Sequence, residues 1–281
     1  MYFGGLKMKL TFNGTSAAEG FPGLFCECEH CQKARILGGK NIRTRSSCLI
    51  DEQYLMDFPP DVYMHVLRGN LRLSRVRHII VTHSHEDHFQ PYELNMKVEP
   101  FAYPKEDEVL YIYGNDRVYE RYKHAGCDSD ERKEFLRYVH VYPGKPFKAG
   151  EAEFVPLKAE HDNENEICHI YVINLKGKYL LYGHDTGYFP EETWEALKSF
   201  RLDGVILDCT FGGIDWDKGH MGIKANARVK ERLIKQGSAD ENTIFIATHF
   251  SHNCRPLYED MVQLAQKHGF IATYDGMTIE I

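Results

Sequence analysis

A short run of metal-binding side chains lies at residues 83–88 and reads His-Ser-His-Glu-Asp-His. Among its side chains are three imidazoles and a carboxylate, from His83, His85, His88 and Asp87. Imidazole nitrogens and carboxylate oxygens suit zinc, manganese or iron, and their mixture is typical of hydrolytic sites that keep a coordination position open for water. The strand-forming residues 78–82 lead directly into the run. A polar surface loop is the alternative, but this density of ligand types after an apolar strand favours a metal site.

Further candidate ligands follow other apolar runs. His161, Asp185 and His249 each stand where a strand-forming segment stops, as His83 does. One loop cannot complete two metal ions, so a dinuclear site needs ligands from other strand ends. Each of these residues alone is more often a polar group with ordinary hydrogen bonds. Together they form a pattern that favours a second metal ion.

A second cluster is built from cysteines. Cys26, Cys28 and Cys31 supply three thiols from one short stretch. A structural zinc needs four ligands in a closed tetrahedral set. The residues themselves leave three candidates for the fourth ligand, which are His252, His30 and Cys254. Reduced thiols in a flexible loop are the alternative, and no thioredoxin-type context supports a redox role.

His220 is the candidate for proton transfer. It lies in a Gly-rich stretch, residues 218–222, just before the helix predicted to begin near Ile223. General acid assistance to a leaving group typically contributes about 10²–10⁴-fold, and capping of the helix is the alternative role. Asp208, at another strand end, is predicted to hydrogen-bond a ligating histidine, with a structural hydrogen bond as the alternative. His184 could be a hydrogen-bonding partner of the site or simply a buried histidine, and we predict the latter.

The elements that would position these side chains alternate along the whole chain. The residue types predict strands at 9–12, 47–50, 54–58, 78–82, 109–113, 153–157, 169–174, 179–183, 204–207, 243–247 and 278–281. Apolar spacings of three and four predict helices at 31–37, 62–70, 116–124, 129–138, 190–200, 223–236 and 256–268. Strands dominate both halves, which indicates layered sheets covered by helices. We find no linker or repeat and predict a single domain over residues 1–281. Residues 89–140 are the least regular part and are expected to cover the site.

Composition narrows the class of partner. The formal net charge is −7 and the pI about 6.1, whereas nucleic-acid binders usually carry a basic face. The basic stretch at Arg68, Arg72, Arg75 and Arg77 is interpreted as a solvated face. Eight cysteines, five of them scattered, fit a reducing compartment. We recognise no signal peptide and no run of about 20 apolar residues. We therefore expect a soluble, cytoplasmic protein that binds a small anionic substrate and neither membrane nor nucleic acid. Met1 and Met8 both remain candidates for the start of translation.

The chain resembles the metallo-β-lactamase superfamily, whose signature His-x-His-x-Asp-His is matched in full by residues 83–88. Within the superfamily it resembles the phosphodiesterase branch associated with bacterial carbon–phosphorus lyase. The motifs of that branch are matched by a glycine turn, a Cys-x-Cys-x-x-Cys cluster and two closing motifs, at residues 13–17, 26–31, 248–252 and 274–277. The first signature identifies only the superfamily. The cysteine cluster paired with Thr-His-x-Ser-His is far more selective.

The resemblance implies an α/β fold, a four-layer αββα sandwich, with three bound metal ions. One divalent ion, zinc or manganese, would be held by His83, His85 and His161. A second would be held by Asp87, His88 and His249. Asp185 would bridge the two ions. A structural zinc would be held by Cys26, Cys28, Cys31 and His252.

The resemblance also implies a reaction. The expected enzyme is a metal-dependent phosphodiesterase that cleaves a small or cyclic phosphate diester with a hydroxide bridging the two ions. Asp87 would orient the nucleophile, and His220 would protonate the leaving group. The alternatives are hydrolysis of a lactone, thioester or β-lactam, and a non-catalytic binding protein resembling the pyrroloquinoline quinone biosynthesis protein. A homodimer is compatible with the sequence, which does not name the physiological substrate or the native catalytic metal.

Overall fold

The computed structural model describes residues 7–69, 71–104, 108–254 and 257–281. These residues form two mixed seven-stranded β-sheets that pack face to face, with helices on both outer faces. The predicted four-layer αββα sandwich is therefore confirmed. Asn70 and Pro256, at the ends of two predicted helices, and Met1 lie outside the described residues.

The first sheet has the strand order β14-β1-β2-β3-β4-β5-β6. Its strands are β1 (Lys9–Gly14), β2 (Ser47–Ile50), β3 (Tyr54–Met56), β4 (His78–Ile80), β5 (Leu110–Gly114), β6 (Leu136–His140) and β14 (Met277–Glu280). Pairing is antiparallel from β14 to β3 and parallel from β3 to β6.

The second sheet has the order β13-β12-β11-β10-β9-β8-β7. Its strands are β7 (Phe147–Ala149), β8 (Ala152–Lys158), β9 (His169–Leu175), β10 (Lys178–Gly183), β11 (Gly204–Asp208), β12 (Ile244–Thr248) and β13 (Ile271–Ala272). Pairing is parallel from β10 to β13 and antiparallel from β7 to β10.

Six α-helices are found in the described residues. They are α1 (Glu29–Leu37), α2 (Val62–Gly69), α3 (Asp116–His124), α4 (Glu191–Leu197), α5 (Ile223–Lys235) and α6 (Tyr258–Lys267). Helices α2 and α3 cover the first sheet, and α4, α5 and α6 cover the second. None of the described helices is long and apolar enough to cross a membrane.

The alternation of side chains along the central strands builds the core. In β11, Ile206 packs between the two sheets, whereas Val205 and Leu207 pack beneath the helices of the second sheet. All three are fully buried. A strand buried on both faces reads as a continuous apolar run, which explains why β11 was predictable. Burial of this kind is the main stabilising contribution to the sandwich.

The secondary structure between α3 and β7 differs from the predicted one. The helix predicted at residues 129–138 is wrong, because Leu136–His140 forms β6 and pairs in parallel with β5. Leu136 is buried in the first sheet's outer core, and its long-range pairing overrides a local helical spacing. Strands β7 and β13 also went unpredicted, since two or three residues give no periodic signal.

Candidate metal centre

The candidate ligands meet because the strands that precede them end at one edge of the sandwich. Strand β8, which precedes His161, is antiparallel to β9 and therefore runs in the same direction as β10. In the first sheet Met56 pairs with Ile80, so β3 and β4 end side by side. In the second sheet the matched ends of β10, β11 and β12 do the same. Ligand sites form at the carboxyl ends of parallel strands because the loops leaving them converge there.

The first group joins three histidines and an aspartate. The ligand atoms of His83, His85, His161 and Asp185 lie within 4.8 Å of one another. His85 Nδ1 is 2.9 Å from His83 Nε2 and 3.3 Å from His161 Nε2. Asp185 Oδ2 is 3.4 Å from His83 Nε2. The structure thus brings together the set assigned to the first ion.

The second group shares Asp185 with the first. It contains Asp87, His88, Asp185 and His249, again within 4.8 Å. His88 Nε2 lies 3.3 Å from Asp87 Oδ2 and 3.0 Å from Asp185 Oδ2. The other oxygen of Asp185 lies 2.8 Å from His249 Nε2. Asp185 therefore stands between the two groups, as a bridging carboxylate would.

Each imidazole directs one nitrogen inward and is held by its other nitrogen. The outer contacts are His83 Nδ1 with Thr82 Oγ1 (2.9 Å), His85 Nε2 with Asp162 Oδ2 (3.2 Å), His88 Nδ1 with Asp57 Oδ2 (2.8 Å), His161 Nδ1 with the Gly219 carbonyl (2.9 Å) and His249 Nδ1 with Thr210 Oγ1 (2.8 Å). Such outer partners fix the orientation of metal-ligating histidines.

The inner atoms fit divalent cations. His88 Nε2, His249 Nε2 and Asp185 Oδ1 are buried, and in spite of their short separations none makes a hydrogen bond of acceptable angle among the described residues. Buried polar atoms without a partner are rare, and an ion is one of the few things that satisfies them. The donor set of imidazoles and carboxylates matches zinc or manganese in chemistry. The buried His/Asp clusters thus fit a dinuclear metal site.

The electrostatics of the centre favour positive charge. Burial opposes a charged imidazole at His249, but the Asp185 carboxylate outweighs it and raises the pKa to about 10. The pKa of His88 is raised for the same reason, with Asp185, Asp87 and Asp57 opposing the effect of burial. Conversely, burial would raise the pKa of Asp87, but the neighbouring His88 lowers it to about 2. The carboxylates are thus held in the ionised form that binds cations.

The backbone is strained where it carries these groups. Asp57, Asp185 and His249 have φ values of 61°, 42° and 62°. Residues with a Cβ seldom adopt this left-handed region, and such strain clusters at functional sites.

Asp57 was missed by the sequence analysis. It directly follows β3, is fully buried, and accepts hydrogen bonds from the Thr82 backbone N–H (2.8 Å) and Thr82 Oγ1 (3.0 Å) as well as contacting His88. The strand predicted at residues 54–58 includes Asp57, whereas β3 ends at Met56 and leaves Asp57 at the strand end. The overlong predicted strand therefore concealed the signal that marked His161 and Asp185.

A cavity of about 330 Å³ opens over the centre. It is lined by Ala17, Ala18, Glu19, His85, Asp87, His161, Asp185, Thr210, Phe211, His220, His249, Ser251 and Asn253. None of these residues comes from 89–140, so the prediction that this stretch covers the site is wrong. The described part of this stretch instead contributes β5 and β6, which extend the first sheet beyond β4.

His220 lines the cavity beside the ligands. Its ring lies 4.9 Å from that of His161 and 5.8 Å from that of His249. His220 Nδ1 lies 2.9 Å from Asp208 Oδ2. Burial opposes the imidazolium, but the Asp208 carboxylate outweighs it and raises the pKa of His220. Asp208 Oδ2 is also 3.3 Å from His249 Nδ1, the position predicted for a partner of a ligating histidine.

His184 is a buried histidine stacked on Tyr182. The ring centroids are 4.2 Å apart, and Tyr182 Oη lies 3.3 Å from His184 Nδ1. Burial lowers the pKa of His184 to about 3, so the ring is neutral. It belongs to none of the described ligand groups.

The cysteines form a separate cluster with His252. Cys26, Cys28, Cys31 and His252 place their ligand atoms within 4.8 Å of one another. Cys31 Sγ is 3.6 Å from His252 Nδ1. A hydrogen bond from the Cys31 backbone lowers the pKa of Cys28 to about 6, which favours the thiolate that binds metal. The Cys3His cluster fits a structural metal ion.

The other two candidates for the fourth ligand lie elsewhere. The Cys254 thiol donates to the carbonyl oxygens of Ser251 (2.9 Å) and Thr210 (3.0 Å). His30 is not among the clustered residues.

One short loop connects the two centres. His249 belongs to the dinuclear-type centre and His252 to the cysteine cluster. Between them, the Ser251 hydroxyl and the His252 backbone N–H both donate to Glu19, which lines the cavity. The Glu19 carboxylate therefore ties this loop to the N-terminal segment.

Comparisons with known proteins agree with this geometry. The family model described as "Beta-lactamase superfamily domain" matches residues 54–250, more than half of the chain. No curated protein matches the chain by sequence. Among solved structures, a diphosphatase from the PhnP family superposes with a TM-score of 0.74 at 19% identity, covering 98% of each chain.

Two further structures share the fold. The metallo-β-lactamase fold protein YhfI from Bacillus subtilis has a TM-score of 0.71 at 20% identity, covering 98% of this chain and 100% of its own. Zinc-bound PqqB from Methylobacterium extorquens has a TM-score of 0.71 at 14% identity, covering 97% and 100%. At these identities the likeness shows the fold alone. The family match shows that the chain belongs to the metallo-β-lactamase superfamily.

Proposed function

We propose that this member of the metallo-β-lactamase superfamily is a metal-dependent phosphodiesterase acting on a small or cyclic phosphate diester. The observation that carries the proposal is the convergence on Asp185 of the two ligand groups described above and of a third group, formed with Asp208, His220 and His249. The third group places His220 on the wall of the same cavity. A diester hydrolase needs charge neutralisation, a nucleophile and a proton donor, and these residues can serve all three needs.

The position of each residue indicates its proposed role. Two divalent ions held by the ligand groups would supply a hydroxide near neutral pH and neutralise phosphate charge. Asp87 lines the cavity and offers a carboxylate oxygen that can orient the nucleophile by accepting a hydrogen bond. Phe211, on the same wall, excludes water from one side of the cavity.

His220 is placed to move a proton. Its Nδ1 donates to Asp208 Oδ2 over 2.9 Å, so Nε2 is the nitrogen left to exchange a proton with a leaving oxygen. The raised pKa of His220, which Asp208 maintains against burial, keeps that proton available. A proton donor of this kind matters most when the leaving group is a poor one.

The cavity wall favours a substrate with little negative charge. Among the residues that the structure describes, no lysine or arginine lines the cavity, and Glu19 contributes a carboxylate. Adjacent phosphate groups would meet that carboxylate with no described cationic side chain on the wall to offset it. A diester carries one negative charge and leaves its second substituent free to be neutral. The cavity, about 330 Å³, suits a small ligand.

The test is a substrate panel with the metal-loaded protein. The panel contains cyclic and acyclic phosphodiesters, lactones and thioesters, and the variants are His85→Ala and, as control, the exposed His124→Ala of α3. We expect diester turnover in the wild type and His124→Ala and none in His85→Ala. Turnover of lactones or thioesters alone would replace the proposal with the corresponding hydrolase. No turnover by a protein that holds both ions would indicate a binding protein.

A further inference from the structure

A second cavity lies apart from the cavity over the ligands. Its volume is about 320 Å³, and it shares no lining residue with the cavity over the ligands. We call it the rear cavity and define it by the polar residues that line it, which are Asn13, Lys40, Thr44, His65, Arg68 and Asp275. Neither the ligand groups nor His220 make use of it.

Two cations stand at the rim of the rear cavity. Lys40 and Arg68 are both exposed, and neither forms an ion pair with any described residue. Lys40 Nζ lies 4.3 Å above the Tyr274 ring and 4.8 Å from the Tyr258 ring, which hold the ammonium in place. Cations fixed beside a concave surface attract anions.

Buried polar atoms without partners lie deeper in the wall. Asn13 is 4% exposed, and both polar atoms of its amide lack a hydrogen-bond partner among the described residues. His65 is 2% exposed, and its Nδ1 also lacks one. Such groups cost free energy unless a bound molecule satisfies them.

The hydrogen-bond network fixes what His65 requires. Thr44 Oγ1 donates to Asp275 Oδ2 over 2.7 Å, so it accepts from His65 Nε2, which lies 2.8 Å away. Burial lowers the pKa of His65 to about 4, and the ring is therefore neutral. With its proton on Nε2, the imidazole leaves Nδ1 as an acceptor. A ligand that satisfies it must carry a hydrogen.

One carboxylate, that of Asp275, lines the rear cavity, and its negative charge must be balanced before an anion can bind. Asp275 accepts from the Thr44 backbone N–H (2.7 Å), Thr44 Oγ1 (2.7 Å) and Thr15 Oγ1 (2.8 Å). The buried guanidinium of Arg43 interacts with it electrostatically. These donors occupy both oxygens of Asp275, and Lys40 and Arg68 leave positive charge in excess at the rim.

We propose that the rear cavity is a second ligand site, which binds the phosphate group of a small molecule in its hydrogen-bearing form. Lys40 and Arg68 neutralise the charge. The Asn13 amide and His65 Nδ1 are covered by the wall, so binding requires a small movement of these side chains that lets the amide donate to a phosphate oxygen and His65 Nδ1 accept from the P–OH. Sulfate has the same shape but carries no hydrogen at neutral pH. The site therefore discriminates phosphate from sulfate, because sulfate would leave His65 Nδ1 unsatisfied.

Equilibrium dialysis with radiolabelled inorganic phosphate tests the site in the metal-loaded protein. Arg68→Glu changes an exposed residue, so the fold is retained. We expect it to lose one bound phosphate per chain, with affinity at the rear cavity weakened at least about tenfold. The matched control Arg137→Glu makes the same charge change at an exposed position of β6 and should lose none. Lys40→Met removes the charge but keeps an aliphatic side chain against Tyr258 and Tyr274, and it should weaken binding of the same phosphate.

The comparison between variants separates this site from the proposed activity. Phosphate at the dinuclear-type centre is present or absent in all variants alike, so the loss of one phosphate per chain in Arg68→Glu reports only on the rear cavity. Competition should show sulfate displacing that phosphate at least about tenfold less well than unlabelled phosphate does. Equal stoichiometry in wild type and Arg68→Glu would overturn the proposal, as would equal competition by sulfate.

Discussion

Replacement of Asp57 by asparagine removes one hydrogen-bond acceptor without changing the size of the side chain. The amide oxygen can still accept from the Thr82 backbone N–H, 2.8 Å from Asp57 Oδ1. The amide nitrogen then faces His88 Nδ1 across 2.8 Å. Because both are donors, His88 must transfer its proton to Nε2, the nitrogen that lies 3.0 Å from Asp185. A protonated Nε2 cannot bind a metal ion.

The size of the effect follows from what such partners contribute. Loss of the outer partner of a ligating histidine typically weakens metal affinity about 10- to 100-fold, which corresponds to about 1.4–2.8 kcal/mol. Asp57 is fully buried, so no water can replace the lost acceptor. We therefore expect Asp57→Asn to weaken the affinity for one of the two ions at the dinuclear-type centre by this factor. The ion of the cysteine cluster should be retained.

Chelator competition, followed by elemental analysis, measures each affinity. Asp51→Asn is the matched control, because Asp51 accepts from the Lys9 backbone N–H (2.9 Å) and pairs with Lys176 (2.6 Å) but contacts no ligating histidine. It should lower stability and leave both affinities unchanged. Wild-type affinities in Asp57→Asn would refute the role of Asp57 in orienting His88. Equal losses in both variants would attribute the effect to general destabilisation.

Four further predictions concern proton transfer, the cysteine cluster, substrate charge and acid stability. His220→Ala should slow diesters with alkoxide leaving groups by about 10²–10⁴-fold and bis-(p-nitrophenyl) phosphate far less; equal losses in kcat contradict the acid role. Cys28→Ser should lower zinc content by one ion per chain and reduce Tm, and unchanged zinc contradicts the cluster. Glu19→Gln should raise kcat/KM for a dianionic monoester relative to a diester by about tenfold, since like charges roughly 10 Å apart repel by about 1–2 kcal/mol; an unchanged ratio shows that Glu19 does not select charge. Burial lowers the pKa of His169 in the folded protein to about 4, whereas a histidine in the unfolded chain has a pKa of about 6.5. As the pH falls, the unfolded chain therefore binds the proton first. The free energy of unfolding consequently decreases as the pH drops from 6.5 through 4. His169→Gln should reduce this fall by up to about 3 kcal/mol in urea unfolding, and parallel curves for the two proteins would exclude the effect.

Local signals account for the elements that could be predicted. Strand β11 is an apolar run buried on both faces, and Asn115, the residue before α3, accepts from the Val118 backbone N–H as an N-cap. The superfamily and the fold expected from residues 83–88 are confirmed. These features depend on residues that are neighbours in the chain.

What could not be predicted depends on partners distant in the sequence. Leu136–His140 is a strand only because β5 pairs with it, and a helical spacing of its apolar residues was equally compatible with the sequence. The contact of Asp57 with His88 spans 31 positions. No local pattern shows which strand end will face which loop, so the outer partners of the ligands appear only once both sheets are assembled.

The loop between His249 and His252 would couple ion binding at the two centres. An ion in the cysteine cluster would fix His252, and through the Ser251 and Glu19 contacts it would lower the entropy cost of holding His249 at its strained φ of 62°. Coupling free energy is reciprocal, so each ion strengthens the binding of the other by the same factor. Protein depleted at the cysteines would then need a higher concentration of the ion that binds the dinuclear-type centre to reach the same occupancy there.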